Sequence, residues 1–533
     1  MCIRRFSRND YDSEYRVCRS DETCRSSRHL LVVFVLVGLT GCVSQNVSVD
    51  KALGSLRAGD DPQTLVWSEK LKHSYYSKDL GYAETGRVRM LSGDFLGSST
   101  NFAAIIDKTI ENTENGPVLK MGDLGANVMA GTITDDRTRP YYLPAYEFIN
   151  TLQYQILNHI FLGAPDAAAV EARRAVFAQD QIAEKYGKEV QEAQAKAEEG
   201  KNAAAYGKVN AHMQAMAPVL ELTRSSFENG LTWYLCGLIF EQDNDEANAS
   251  LSYRKAWELM PGNPYIQRDF LRMLRTQDTE AFKGLVEQTG VDPETLKRAP
   301  TAIILIIEEG FISQRQSVKV PLPIPGVNTL TSVDFPIYQD PAYAPAVIEV
   351  RVAGKEAGLS ALALSVQSLA YRDLKEKMPG IVVRNVTRVA TRVVAQHAAN
   401  QAGGAVQYGV MAFNAISAIV NKADTRAWYT LPMVSHLYRG GMEPGEHVLE
   451  LRSKSNGFVS RVPVKLAEGE TRLVWVADFG GNARVTTASL NGKGAPTSFQ
   501  VCGSLLAGYP AVMLPEGPRT LHAAAQAASQ TTK

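Results

Sequence analysis

Histidines, cysteines and paired carboxylates are the residue types from which many catalytic sites are built, so their spacing is the first thing to ask of this chain. The eight histidines are His29, His73, His159, His212, His397, His436, His447 and His522. No two have the spacing at which one helix turn offers two metal ligands. His436 and His447 flank a hairpin and can face each other, but two ligands do not make a metal site. Glu308 and Glu309 adjoin on an extended run, so their side chains point to opposite faces of a strand; they read as a solvated strand end rather than an acid/base pair. There is no G-x-S-x-G elbow, no phosphate loop and no dinucleotide fingerprint. No catalytic residue, metal site or cofactor is expected from these patterns, and the chain does not read as an enzyme.

The cysteine with the clearest chemistry is Cys42. It follows Leu39-Thr40-Gly41, and before that an uncharged apolar run from Leu30 to Leu39, preceded by Arg25, Arg28 and His29. A basic segment, a short apolar core and small residues before a cut make an export signal; the run is too short to span a membrane as a helix. The pattern resembles a bacterial lipobox, in which the thiol takes a diacylglyceryl group and becomes the first residue of the mature chain. Residues 1–24 carry five acids and three cysteines, which suits a start placed too far upstream, with Val17 as a candidate true start. Removing residues 1–41 takes seven basic and five acidic residues from the 56 of each, leaving 49 and 51 and a net charge near −2. That balance argues against a nucleic-acid partner. Only Cys236 and Cys502 remain beyond Cys42. Cys236 reads as a small buried apolar residue, with a Cys236–Cys502 bridge as the alternative.

The elements that follow are helical and repeat. Trp233, Gly237 and Phe240 have the first spacing of a tetratricopeptide unit, with Cys236 in place of the usual leucine; Ala249 and Tyr253 have the second, Ala256 continues that face, and Pro261 closes the unit. Gly237 and Ala249 are small enough for two helices to approach closely, Trp233, Phe240 and Tyr253 fill the space around them, and Pro261 stops the second helix. Weaker copies precede this one. Gly86 aligns with Gly237, Gly93 makes the turn, and Ser98 and Phe102 fall where Ala249 and Tyr253 fall. In a second copy around Leu157–Pro165, Ala168, Ala172 and Ala175 share one face. Residues 103–140 and 178–229 read as insertions. The latter, with Glu184/Lys188 and Glu192/Lys196 at i,i+4, reads as an exposed helix or helical hairpin broken at Gly200 and near Pro218; a docking arm is the alternative.

Past Pro300 the pattern changes. Ala302–Ile307 is a buried strand by length and β-branching, Val318–Gly326 is an extended, proline-punctuated edge, Val347–Val352 alternates like a half-exposed strand, and residues 360–378 read as a helix. Between Arg392 and Lys422 no residue is formally charged, and alanines and glycines abound. Residues 381–421 read as a pair of close-packed helices broken at Gly403-Gly404, with a membrane-touching hairpin as the alternative. At the junction that follows, Trp428 is expected to bury against that pair, with Asp424 and Arg426 bonding to backbone groups left open at the helix end; an exposed Trp428 anchoring a partner is the rival reading. Alternating runs at 447–451, 459–466 and 471–477 are strands joined by turns at Glu443-Pro444-Gly445-Glu446 and Glu468-Gly469-Glu470.

These residues carry two resemblances. The last strands and their turns resemble the small β-sandwich called a PEGA domain. The Gly93-Asp94 turn, Arg139-Pro140-Tyr141, Glu171–Ala175, Ser252–Ala256, Ala423–Trp428 and Leu431-Pro432 together resemble a family of bacterial lipoproteins with tetratricopeptide-like repeats, over most of residues 60–480. The expected fold is therefore α+β and multidomain: a signal peptide (1–41), a lipidated tether (42–61), a helical repeat domain (62–297), a mixed strand and helix-pair region (298–432), a small β-sandwich (433–490) and a disordered tail (491–533). Val43 after Cys42, in place of an aspartate, fits sorting to the bacterial outer membrane, so the expected protein is a non-enzymatic, lipid-anchored interaction scaffold facing the periplasm; the resemblance implies a protein partner in the envelope near peptidoglycan synthesis. The alternative is a ligand-binding or enzymatic envelope protein with its pocket between the helical and β-containing domains. The oligomeric state is left open.

Overall fold

A computed structural model of the chain describes residues 45–506, apart from 115, 122–136, 138, 200–201, 215–216, 324–329, 339–344, 403 and 405–422. By internal contacts the chain falls into two units, Met1–Val49 and Asp50–Lys533. Of the first, only the opening of helix α1 (Gln45–Ala58) is described. The rest of that helix corrects the expected tether: Ala52, Leu53 and Leu56 recur at helical spacing and are buried, so this segment is structured chain.

The second unit is α+β, with helices and sheets in separate regions. Helices α2 (Asp61–Lys72), α3 (Lys78–Leu91) and α4 (Phe95–Thr109) are followed by a small hairpin of β1 (Ile110–Thr113) and β2 (Gly116–Leu119). Then come α5 (Ala145–Phe161), the long α6 (Pro165–Glu198), α7 (Ala203–Met213) and the short α8 (Ala217–Leu220). The helical series ends with α9 (Gly230–Gln242), α10 (Glu246–Leu259), α11 (Pro264–Gln277), α12 (Thr279–Thr289) and a 3-10 turn at Pro293–Leu296. The segment read as an exposed insertion is helical as expected, α6 ending at Glu198 and α7 opening at Ala203; the expected break at Gly200 lies outside the described residues. It is not merely solvated: Ala205, Val209 and Met213 of α7 are buried.

The strands form two larger sheets. One has six strands in the order β14-β13-β12-β3-β9-β8: β14 (Ser498–Gly503), β13 (Asn482–Ser489), β12 (Thr471–Asp478), β3 (Ala302–Glu309), β9 (Val434–Gly441) and β8 (Ala361–Ser365). Its β12–β3 pair is parallel and the other pairs are antiparallel. The other sheet has the order β11-β10-β6-β7, from β11 (Val459–Leu466), β10 (Gly445–Ser453), β6 (Ile348–Val352) and β7 (Lys355–Leu359). A separate hairpin joins β4 (Arg315–Pro323) and β5 (Leu330–Tyr338). One apolar core takes Ile303, Leu305, Ile307, Val474 and Val476 from the six-stranded sheet and Ile348, Val350, Leu449, Leu451, Val462 and Val464 from the four-stranded one. Side chains alternate along each strand, so the opposite face of the six-stranded sheet is left for the helices. There Trp475 meets Phe161 of α5, ring centroids 5.8 Å apart.

Three expectations change here. The boundary at 432/433 falls inside a sheet, because β3 sits between β12 and β9 and pairs with both; the backbone N–H and C=O groups of a strand buried this fully need hydrogen-bond partners on both edges. The tail expected from 491 contains β14, which pairs with β13 along Asn482–Thr487; residues 507–533 lie outside the described residues. The helix expected at 360–378 begins later, because Ala361–Ser365 alternates and pairs with β9. It then runs as α13 from Val366 to Ala402, through Pro379. The second member of the expected helix pair falls within 405–422 and lies outside the described residues.

Candidate functional site

Three helical hairpins, α3–α4, α5–α6 and α9–α10, turn in the same way. Each has one residue with left-handed backbone at the turn: Gly93 (φ +80°), Gly163 (φ +68°) and Asn244 (φ +60°). In each, the next residue's N–H reaches back to the carbonyl five residues earlier, Asp94 to Arg89, Ala164 to His159 and Asp245 to Phe240, the closing bond of a Schellman motif. Asp94 and Asp245 then cap the second helix, accepting from Gly97 and Asn248 N–H. Five residues past the turn stand Ser98, Ala168 and Ala249, all fully buried.

The expected packing residues meet inside these hairpins. A Cβ on Gly237 would lie 2.7 Å from the Tyr253 ring, and one on Gly86 would lie 2.5 Å from the Phe102 ring. The middle hairpin reverses the sizes: at the same offsets from the turn, Ile156 is large and Ala172 is small, and both are fully buried. Trp233, Phe240 and Ala256 are buried, and Pro261 follows the end of α10 in an exposed turn. Cys236 lies buried against the Ala172 carbonyl at 3.5 Å, and burial pushes its thiol pKa well up. It and Cys502 are both free, so the alternative bridge does not form.

The junction 423–433 runs between the helices and the sheet. Trp428 is fully buried, as expected, and its ring lies 5.8 Å from Phe102 and 5.9 Å from Tyr154, on α4 and α5; the second member of the helix pair expected to cover it lies outside the described residues. Arg426 clasps Asp424 through two bonds of 2.8 and 2.6 Å. Its remaining donor reaches the carbonyls of Tyr76 and Arg139. These are backbone groups, as expected of this residue, but they belong to loops distant in sequence and not to a helix end.

What holds the junction in place was not visible in the motifs. Glu147 of α5 accepts from the Trp428 N–H at 2.9 Å and from the hydroxyls of Tyr141 and Tyr146. Glu84 of α3 accepts from the Tyr429 N–H at 2.8 Å and the Thr430 hydroxyl at 2.6 Å. Trp428 Nε1 donates to that same hydroxyl oxygen at 3.0 Å. Burial is the main cause that raises the Glu147 pKa and pushes Glu84 up to about 8. Beside them Arg87 pairs with Glu308 at the end of β3, donates to the Thr430 carbonyl and stacks over Tyr154 and Trp475. Glu308 is 1% exposed and also accepts from Tyr154 at 3.1 Å. This overturns the solvated strand end: the acid is buried because an arginine from α3 reaches it. Glu309, on the opposite face, is buried too, 3.6 Å from His436, which is beyond hydrogen-bond range. His447 is half-buried on β10 in the other sheet, so the two histidines do not face each other. A signal existed for Glu147, the single acid of α5, whose sequence is otherwise apolar or neutral. With every member buried, this network joins layers and offers no surface to a substrate.

A cleft opens to solvent where α11 and the segment at the end of the 3-10 turn meet β3 and β9. Arg268, Asp269, Arg272, Arg298 and Arg439 line it, with Gly440 and Gly441 at its β9 side. Among the described residues no group of three or more histidines, cysteines or acids is placed to hold a metal ion, and no helix is long and apolar enough to cross a membrane. Cys42 lies outside the described residues. Comparison with protein-family models, with curated proteins and with solved structures gives no match to this chain.

Proposed function

We propose that this chain is a lipid-anchored scaffold of the bacterial cell envelope, held in the outer membrane through Cys42 and facing the periplasm. Its helical hairpins act as tetratricopeptide-like repeats, and its strands as a β-sandwich that backs them. The observation that carries the repeat reading is the turn shared by α3–α4, α5–α6 and α9–α10: left-handed backbone at the same position, the same closing bond and a buried small residue five positions on. Stacked hairpins of this kind present an extended surface suited to a peptide or protein partner. Two sheets sharing one core support the sandwich reading. The Leu39-Thr40-Gly41-Cys42 sequence supports the anchor, and the family resemblance draws the partner from proteins that act beside peptidoglycan synthases.

Photo-crosslinking in live cells, with probes on exposed positions of α4 and α10 such as Thr100 and Arg254, tests the scaffold. A discrete envelope protein should be captured, and its identity read by mass spectrometry. Capture of nothing but the chain itself, from probes on both helices, contradicts the reading.

A further inference from the structure

The cleft between α11 and β9 collects more positive charge than its acids neutralise. Asp269 of α11 accepts from Arg439 at 2.6 Å and from the Tyr234 hydroxyl at 2.7 Å. Glu241, at the end of α9, accepts from Arg272 at 2.8 Å and from the Tyr253 hydroxyl at 2.7 Å, and is ion-paired with Arg298 at 2.8 Å. Two buried carboxylates thus hold three arginines, and Arg268 stands exposed at the rim with no carboxylate partner among the described residues. Lys297 also lines the cleft, but it is paired with Glu294 at 2.6 Å. The surplus is two positive charges around one small space.

The acids fix the arginines without using up their donors. Each guanidinium has five N–H groups in a planar fork. The bonds to Asp269 and Glu241 employ one nitrogen each of Arg439, Arg272 and Arg298. Tyr234 and Tyr253 orient the same carboxylates from below, so the forks are held before any ligand arrives. The floor is kept close by glycine: a Cβ on Gly441 would lie 2.6 Å from the Ala299 Cβ, so only glycine lets the chain after the 3-10 turn approach β9 this nearly. The space is about 30 Å³, roughly two to three times what one ordered water needs. It takes one small oxyanion and excludes a sugar or a peptide side chain.

We propose that this cleft binds a dianionic phosphate group, free or as the terminal group of a phosphomonoester whose remainder stays outside. Two surplus charges match a dianion, and arginine forks match the geometry of its oxygens. Arg298, 40% exposed, and Arg268 approach it from solvent, while Arg439 and Arg272 form its inner wall.

Isothermal titration of the purified chain with inorganic phosphate, at fixed ionic strength against chloride, tests the site; glycerol phosphate in a second arm separates the free ion from the ester. Saturable one-site binding is expected. Arg298→Gln and Arg268→Gln should each weaken it by about tenfold, the loss of one charge-assisted contact, while Lys283→Gln on exposed α12 leaves it unchanged. Both arginines are exposed enough that circular dichroism should show the variants folded; if Arg298→Gln is not, Arg268→Gln decides alone. Absence of saturable binding of either probe, or a folded Arg268→Gln variant that binds as tightly as the parent, overturns the proposal.

Discussion

Arg87 ties buried polar groups of α3, β3 and the 423–433 segment together. Its guanidinium joins Glu308 on β3 to the Thr430 carbonyl and lies over two aromatic rings, all out of contact with water. Removing one partner of a buried ion pair leaves the other charge without compensation, which costs about 3–5 kcal/mol. Arg87→Met should therefore lower the urea midpoint steeply, and adding Glu308→Leu should restore much of the loss. If the double variant is no better than the single, the pair is not the cause. Trp428→Ala belongs to the same scale: the ring is fully buried between Phe102 and Tyr154, and truncation should cost about 3–5 kcal/mol. A variant as stable as the parent would contradict that placement. Glu84 makes the fold sensitive to pH. Its pKa in the folded chain, about 8, lies above the ordinary 4.5, so its contribution is fully present below pH 4.5 and is lost as pH rises through about 8. Glu147, raised by burial as well, acts with the same sign. Glu84→Gln keeps an acceptor for the Tyr429 N–H and cannot ionise. It should flatten the fall in stability between about pH 5 and pH 9, and an unchanged slope would remove Glu84 from that role.

The hairpin is the element that the sequence describes best. Gly237, Ala249 and Tyr253 are on one pair of adjacent helices, so the spacing that brings them together is local and can be read from residue types. The structure places Gly237 and Gly86 each against one ring. Gly237→Leu should overpack its contact and cost about 1–3 kcal/mol, seen as a lower melting temperature; an unchanged melting curve would show that the ring is free to move aside. Elsewhere the deciding partners are distant. Trp428 could be read as buried, but its neighbours come from α4 and α5, hundreds of residues earlier. Glu308 ends a run of aliphatic residues and looks solvated until α3 brings Arg87 to it. β14 was missed because its side chains alternate between exposed and half-buried at a sheet edge, so it lacks the apolar alternation that marks a strand. The cleft of Arg268, Arg272, Arg298 and Arg439 draws on α11, the segment after the 3-10 turn and β9, and only the fold collects those residues.

At the scale of the second unit, one six-stranded sheet carries helices on one face and a four-stranded sheet on the other. The segment 423–433 is pinned to α3 by Glu84 and to α5 by Glu147. The proposed role needs this body to be held at a membrane, and that depends on one thiol. Cys42→Ala fractionation is the most direct test: membranes from cells expressing parent or variant are washed with high salt and carbonate, and the N-terminal peptide of the parent is examined by mass spectrometry. The parent should stay with the outer membrane and bear a diacylglyceryl group on Cys42, and the variant should be released to the soluble fraction. A variant that remains with washed membranes, or a parent whose Cys42 carries no lipid, would contradict that role.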